Sequence, residues 1–171
     1  DDCEADRDLA FRLNETGSRN VALAAKACGA RLIAVSTDNV FPGGPPSEPW
    51  AWGESDLPRP MTVYGASKLA GERMIEMIAP DAAILRVAWL YGSGGPSFVH
   101  TIASLGMREG DAIKVVDDQI GNPTSCEVVA GVIRFLKDNP SISGVVHGTC
   151  ENRATWYEFA CEIKRLVNLV N

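Results

Sequence analysis

The order of apolar segments along the chain predicts an α/β fold with a mainly parallel sheet. Amphipathic patterns with a period near 3.6 alternate with short apolar runs that are typical of buried strands. The composition agrees, because 46% hydrophobic and 22% charged residues in 171 are typical of a globular domain with a substantial core. We therefore expect helices packed on the faces of a sheet.

The elements of the first third follow from apolar spacing and from helix breakers. Leu9, Leu13 and Val21 recur at helical spacing, and Gly29 follows as a stop signal. The next run is short and rich in branched residues, which indicates a strand buried on both faces. The predicted elements are a helix over Arg7 to Cys28, a strand over Arg31 to Ser36, and a Pro- and Gly-rich loop over Thr37 to Pro60.

The same alternation continues to the last residues. Helices are predicted where apolar residues fall on one face and Pro or Gly follows, and strands where the apolar run is short. The predicted helices cover Thr62 to Ala79, Phe98 to Arg108, Glu127 to Asp138 and Trp156 to Val170. The predicted strands cover Ala83 to Tyr91, Ile113 to Val116 and Gly144 to Gly148, with a polar turn over Asp117 to Thr124.

Charge and composition argue against several classes of partner. The net charge of −6, without a basic run, argues against a nucleic-acid surface or an anionic-membrane anchor. No apolar stretch is long enough to span a bilayer, and the acidic start lacks the pattern of a secretory signal. Five cysteines without a Cys-x-x-Cys pair, and two distant histidines, favour neither a zinc site nor a disulfide framework. We expect a cytoplasmic protein with reduced cysteines and no metal.

Two segments carry the chemistry that the sequence suggests. Thr37 and Asp38 follow the first predicted strand, where open α/β sheets bind ligands. Tyr64 and Lys68 lie four residues apart on one helix face, and an ammonium near a phenol lowers the phenol's pKa from about 10. Tyr64 can then exchange a proton with a carbonyl or alcohol, and the Thr37 hydroxyl can share the developing charge. A half-buried tyrosine beside a solvated lysine is the structural alternative for this short motif.

With these motifs in view, the chain closely resembles the dTDP-4-dehydrorhamnose reductase family of the extended short-chain dehydrogenase/reductase superfamily. The first two matches are IAVSTDNVFPGG (Ile33 to Gly44) and YGASKLAGE (Tyr64 to Glu72). Further matches, in the expected order, are LNETGSRNVALAA, LRVAWLYG, VVDDQIGNPTS and TWYEFACEI. The resemblance covers nearly the whole chain and implies a partial, Rossmann-like, doubly wound sheet.

The resemblance also implies an activity and a set of site residues. Thr37, Tyr64 and Lys68 match the family's catalytic triad, and Tyr64 and Lys68 would also contact the cofactor, NADPH or NADH. A hydride would pass to the C4 ketone of a nucleotide-linked 6-deoxysugar, with Tyr64 as proton donor. The positions that match substrate-binding residues are Thr37, Asp38, Asn39, Trp89 and Gln119. Arg86, on the strand behind this site, is expected to form an ion pair with a neighbouring helix.

The chain also departs from the family's pattern. Asn39 stands where a tyrosine is usual and Ser97 where an asparagine is common, so the identity of the sugar stays open. The family's Gly-rich nucleotide-binding start has no counterpart, so we expect an incomplete chain that binds cofactor poorly alone. Residues 1–95 are assigned to the carboxyl half of the Rossmann-like domain, with the catalytic triad. Residues 96–171 are assigned to a mixed, substrate-binding portion interleaved with the sheet.

Other functions remain open at this point. The same superfamily contains the regulatory subunit of methionine adenosyltransferase, a binding partner that keeps the fold without needing catalysis. Sugar-nucleotide epimerases and dehydratases form a third class, although Asp38-Asn39 is not their common pattern. A nucleotide-sugar is the expected small-molecule partner, and a homodimer is a further option.

Overall fold

The computed structural model describes residues 2–43, 51–106 and 113–170. It forms two compact units, of which the first comprises Asp1–Val87 with Val132–Gly148 and the second Ala88–Gly131 with Thr149–Asn171. The functional division at residue 95 stays a prediction. The compact units have other boundaries, because the segment Val132–Gly148 belongs to the first unit. Among the described residues, no helix is long and apolar enough to cross a membrane.

The helices and strands largely follow the predicted alternation. The helices are α1 (Asp2–Ala5), α2 (Arg7–Phe11), α3 (Gly17–Ala27), α4 (Val63–Ile78), α5 (Phe98–Gly106), α6 (Cys126–Asp138) and α7 (Trp156–Val170). The strands are β1 (Ile33–Thr37), β2 (Ala83–Val87), β3 (Leu90–Tyr91), β4 (Ile120–Gly121), β5 (Thr124–Ser125), β6 (Gly144–His147) and β7 (Ala154–Thr155).

The predicted helix over Arg7 to Cys28 is confirmed, with one irregularity. A π-helical turn, Arg12–Thr16, joins α2 to α3 without breaking the helical path. Asp6 caps the start of α2 by accepting a hydrogen bond from the Leu9 amide at 2.9 Å. Downstream of the π turn, Ala22 is fully buried against the core of the first unit.

The first unit contains a three-stranded parallel sheet in the order β1-β2-β6, which confirms a mainly parallel α/β fold. The central strand β2 is buried at all five positions, as a strand with neighbours on both sides should be. Ile84 on β2 packs with Ala22 and Ile75, so the helices α3 and α4 cover one face of the sheet. Packing on this face places the amino-terminal half of α4 at the carboxyl end of β1.

The prediction that β1 is buried on both faces is wrong. Val35, in the middle of the strand, is 41% exposed, and β1 is an edge strand of the described sheet. Its branched residues favour a strand but do not determine how many neighbours that strand has.

The predicted strand over Ala83 to Tyr91 is two strands. β2 ends at Val87 and β3 begins at Leu90, because Trp89 adopts a left-handed backbone with φ of 43°. A non-glycine residue in this conformation interrupts the extended backbone that a strand needs. An apolar sequence run gives no signal for such a break.

The second unit contains two short ladders, one parallel (β3 with β5) and one antiparallel (β4 with β7). The predicted turn over Asp117 to Thr124 thus contributes short strands. The strand predicted over Ile113 to Val116 is wrong, since these residues have no strand assignment. Ile113 and Val115 instead pack against a cluster of α5 and α7 residues, and the Val116 carbonyl accepts a hydrogen bond from the Tyr157 amide at 3.1 Å.

Candidate active site

The carboxyl end of β1 carries a compact polar turn. The Thr37 hydroxyl accepts hydrogen bonds from the Asn39 backbone amide at 3.2 Å and from Asn39 Nδ2 at 3.1 Å, and it donates to Asp38 Oδ1 at 3.1 Å. Asn39, the departure from the family pattern, therefore helps to hold the threonine hydroxyl in place. Burial raises the pKa of Asp38, although its hydrogen bonds with Thr37 and Asn39 act in the opposite direction.

The amino end of α4 is held against this turn. Thr62 caps the helix by accepting a hydrogen bond from the Gly65 amide at 3.0 Å. A Cβ atom at Gly65 would lie 2.1 Å from the Asn39 carbonyl oxygen, so only glycine permits this approach of helix and turn. The close packing brings Tyr64, the neighbour of Gly65, to the end of β1.

Tyr64 is half-buried and lies beside Thr37. Burial raises the pKa of the Tyr64 phenol above its ordinary value, while a hydrogen bond with the Thr37 hydroxyl acts in the opposite direction. The expectation that Lys68 lowers this pKa is therefore wrong for the described chain. The phenol is protonated at neutral pH, which is the form that a proton donor requires.

Lys68 points to the backbone of β1. Its Nζ donates a hydrogen bond to the Val35 carbonyl oxygen at 2.8 Å. Burial lowers the pKa of Lys68, and the charge of Glu72 partly offsets that effect. The Lys68 ammonium therefore lies at the backbone of β1, two residues before Thr37.

A buried ion pair lies behind the site. The sequence predicts that Arg86 has an acidic partner on a neighbouring helix, but not which residue that is. Arg86 on β2 donates to Glu72 on α4 through Nε at 3.0 Å and Nη2 at 2.7 Å, which confirms the expected ion pair. The Ser36 hydroxyl on β1 donates to the same carboxylate. The pair thus joins β1, β2 and α4 at the level of the site. A buried arginine in an apolar strand is a sequence signal for such an acidic partner, although not for its position.

A second polar contact fixes α4 to the π turn. Asn14 Nδ2 donates to the Ser67 hydroxyl at 2.9 Å, and that hydroxyl donates to the Tyr64 carbonyl oxygen at 2.8 Å. The backbone that carries Tyr64 is therefore held from Asn14 as well as from the strand end. Helical periodicity of the sequence gave no indication of this contact, because it depends on the extra residue of the π turn.

The structure brings together five of the seven predicted site residues in the first unit: Thr37, Asp38, Asn39, Tyr64 and Lys68. The other two, Trp89 and Gln119, belong to the second unit. There Trp89 stacks on Trp156 with ring centroids 3.6 Å apart, and Gln119 is exposed. Their roles in substrate binding stay predictions.

A parallel sheet with helices on one face, a threonine at a strand end and a following helix that carries Tyr and Lys four residues apart define a Rossmann-like α/β protein. The chain belongs to the RmlD substrate binding domain family, whose model matches residues 1–170. This match and the relatives below confirm the resemblance to dTDP-4-dehydrorhamnose reductases.

Curated relatives share between a third and two fifths of their aligned residues with the chain. It is 40% identical over 172 residues to the dTDP-4-dehydrorhamnose reductase of Streptomyces griseus, covering 98% of this chain and 55% of that protein. It is 37% identical over 163 residues to the spore coat polysaccharide biosynthesis protein SpsK of Bacillus subtilis. That match covers 95% of this chain and 56% of SpsK. The chain spans about half the length of these relatives.

A solved structure of a dTDP-4-dehydrorhamnose reductase is similar to the chain in its fold as well as in its sequence. The dTDP-4-dehydrorhamnose reductase of Bacillus anthracis, solved in complex with NADP, matches with a TM-score of 0.91 and 40% identity. The match covers 98% of this chain and 58% of that one. The reductase therefore contains a considerable stretch of polypeptide beyond the part that corresponds to this chain.

Proposed function

We propose that the chain supplies the catalytic residues of a nicotinamide-dependent reductase that acts on the 4-keto group of a nucleotide-linked 6-deoxysugar. The close packing of Gly65, the neighbour of Tyr64, on the Asn39 carbonyl beside Thr37 carries the proposal. The names of the relatives, dTDP-4-dehydrorhamnose reductases among them, support the reaction and the substrate class.

Each residue of the polar turn has a role in this reaction. Tyr64 donates the proton to the ketone oxygen as negative charge develops there, and the phenol holds that proton at neutral pH. The Thr37 hydroxyl accepts from the two Asn39 donors, and it stabilises the substrate oxygen when its single proton turns to that oxygen from Asp38. Asp38 and Asn39 supply further hydrogen-bonding groups for sugar hydroxyls.

The residues present fit a nicotinamide cofactor. An ammonium has three donors, and the Val35 carbonyl takes one donor of Lys68, so the same side chain can bind ribose hydroxyls. Tyr64 and Lys68 would contact the cofactor, which supplies the hydride when bound. The NADP in the matched Bacillus anthracis structure supports this class of cofactor.

The experiment grafts this chain in place of the matched part of the Bacillus anthracis reductase and follows NADPH and NADH oxidation with a dTDP-4-keto-6-deoxysugar. We expect turnover that depends on the keto-sugar. Tyr64→Phe should lower the rate at least about 100-fold, the usual effect of losing a general acid.

Tyr157→Phe is the matched control, since Tyr157 is a half-exposed tyrosine of the second unit. It should keep the rate of the unmodified graft. Equal rates for Tyr64→Phe and Tyr157→Phe would remove Tyr64 from the mechanism. A folded graft without keto-sugar reduction would refute the proposed reaction.

A further inference from the structure

The loop between β1 and α4 is fixed to the end of β6 by a carboxylate. Glu54 Oε1 accepts a hydrogen bond from the His147 amide at 3.1 Å. The Gly148 amide donates to the Arg86 carbonyl at 2.8 Å, so the His147 amide, one residue earlier, faces away from β2. Hydrogen bonds from its own amide and from the His147 amide lower the pKa of the Glu54 carboxyl, which is therefore ionised at neutral pH. A charged acceptor thus holds the loop at a backbone donor of β6.

The loop segment 52–56, termed the clasp, is closed by a short turn. The Gly53 amide donates to Asp56 Oδ2 at 2.6 Å, and the Asp56 amide donates to the Gly53 carbonyl at 3.1 Å. This turn holds together the two residues on either side of Gly53, which are Trp52 and Glu54. A constraint on the Glu54 side chain is therefore also a constraint on Trp52.

The second anchor of the clasp is aromatic. Trp52 stacks on Phe41, with ring centroids 5.2 Å apart and ring planes 5° from parallel. Phe41 is only 7% exposed, and the Arg86 guanidinium lies 5.0 Å from the centre of its ring. The His147 ring packs against the same side chain at close to a right angle, with centroids 5.7 Å apart. Side chains of the clasp, β2 and β6 therefore all contact Phe41.

Phe41 also closes the polar turn at the end of β1. Its amide donates a hydrogen bond to the Asp38 carbonyl at 2.9 Å. Val40, the residue before it, is fully buried, so this part of the backbone is fixed from both sides. A shift of the Phe41 ring would move the backbone of Asn39, whose two donors hold the Thr37 hydroxyl.

We propose that the clasp holds the polar turn in place through Phe41, and that Trp52 and Glu54 are positioning residues of the candidate active site. The hydrogen bond of Glu54 fixes the clasp to β6, and the stacked ring of Trp52 passes this constraint to Phe41. Phe41 then fixes the backbone that carries Asn39. The coupling between clasp and turn does not depend on any reaction, whereas its effect on turnover rests on the proposed function.

Residue-resolved amide hydrogen exchange of this chain measures the coupling. Glu54→Ala should speed exchange at the His147 amide by at least about tenfold, because that amide loses its acceptor. The amides of Asn39 and Phe41 should exchange about threefold to tenfold faster, although they belong to a different part of the loop. Leu85, at the centre of β2, reports global opening and should not change. Unchanged exchange at Asn39 and Phe41 overturns the proposal, and so does an equal acceleration at Leu85.

Two further glutamate variants isolate the hydrogen bond. Glu54→Gln keeps a side-chain oxygen that can accept from the His147 amide, so it should restore most of the protection there and at the turn. Glu76→Ala, at an exposed position of α4, is the control and should exchange as the unmodified chain does. Equal exchange in Glu54→Gln and Glu54→Ala would overturn the role of this acceptor.

Two tryptophan variants test the aromatic anchor. Trp52→Leu keeps an apolar side chain but removes the stacked ring, so the Phe41 amide should exchange about threefold to tenfold faster. Trp52→Phe keeps a ring that can stack and should reverse most of that change. The same exchange rate in both variants would contradict the aromatic link between clasp and turn.

Kinetics of the graft with the Bacillus anthracis reductase measure the consequence for turnover. Glu54→Ala and Trp52→Leu should each lower kcat about tenfold, because the turn that carries Thr37 is displaced, while the KM for NADPH stays the same. Glu76→Ala should change neither constant. An active graft whose kcat is unaffected by both substitutions overturns the positioning role. A graft that reduces no keto-sugar refutes the proposed function instead, and the exchange rates still decide whether clasp and turn are coupled.

Discussion

Removal of Arg86 tests whether the buried ion pair holds the site together. Arg86 and Glu72 have side chains only 5% and 3% exposed, and two hydrogen bonds join them. Arg86→Met leaves the Glu72 carboxylate buried, with the Ser36 hydroxyl as its remaining described hydrogen-bond donor. Breaking one partner of such a pair lowers the free energy of unfolding by about 3–5 kcal/mol.

The measurement is urea unfolding followed by circular dichroism, with the slope checked for two-state behaviour. The control is Arg165→Met, because Arg165 and Glu162 form a similar two-bond pair whose side chains are 57% and 52% exposed. That variant should unfold almost as the unmodified chain does.

A double variant separates charge from packing. Glu72→Gln combined with Arg86→Met removes the unpaired buried charge, so it should recover part of the stability that Arg86→Met loses. If Arg86→Met and Arg165→Met shift the midpoint equally, the reasoning from burial fails.

The remaining predictions concern packing and pH. Gly71→Ala would place a Cβ 2.4 Å from the Asn14 carbonyl oxygen and should lower the free energy of unfolding by about 1–3 kcal/mol. Gly131→Ala, also in a helix but with open space around it, should raise that free energy by about 0.5–1 kcal/mol. Urea titrations of the two variants measure these opposite changes. Burial raises the pKa of Asp38 above 3.8, so the native state holds that proton more tightly, and stability should fall as pH rises from 3.8 through the raised pKa. Asp38→Asn should flatten this part of the pH profile, and an unchanged slope would contradict the assignment.

Most of the first unit could be predicted because its signals are local. The helix that became α4 has an apolar face, a threonine cap and a following proline, and the structure confirms it within a residue at each end. The apolar run of β2 likewise predicts a buried strand, and all five of its residues are buried. Such elements depend on their own sequence more than on distant contacts.

The failures depend on contacts or conformations that a local pattern does not contain. Val35 is exposed because β1 is an edge strand of the described sheet, and an apolar sequence does not indicate how many neighbours a strand has. The left-handed backbone of Trp89 divides one predicted strand into two. Burial raises the pKa of Tyr64, and spacing along a helix determines neither how buried the phenol is nor that Lys68 contacts the Val35 carbonyl.

The π-helical turn at Arg12–Thr16 has a consequence for tolerance to length changes. A π turn holds more residues than an α-helical turn, and each residue of an α-helix advances by about 100°. Deletion of one residue there would convert the π turn to an α-helical turn and leave the faces of α2 and α3 in nearly the same register, with Ala22 still against the core. An equal deletion at the exposed Leu57, just beyond the clasp, would leave every helical face in register. Homologous chains should therefore vary in length in that loop and, by a single residue, at the π turn.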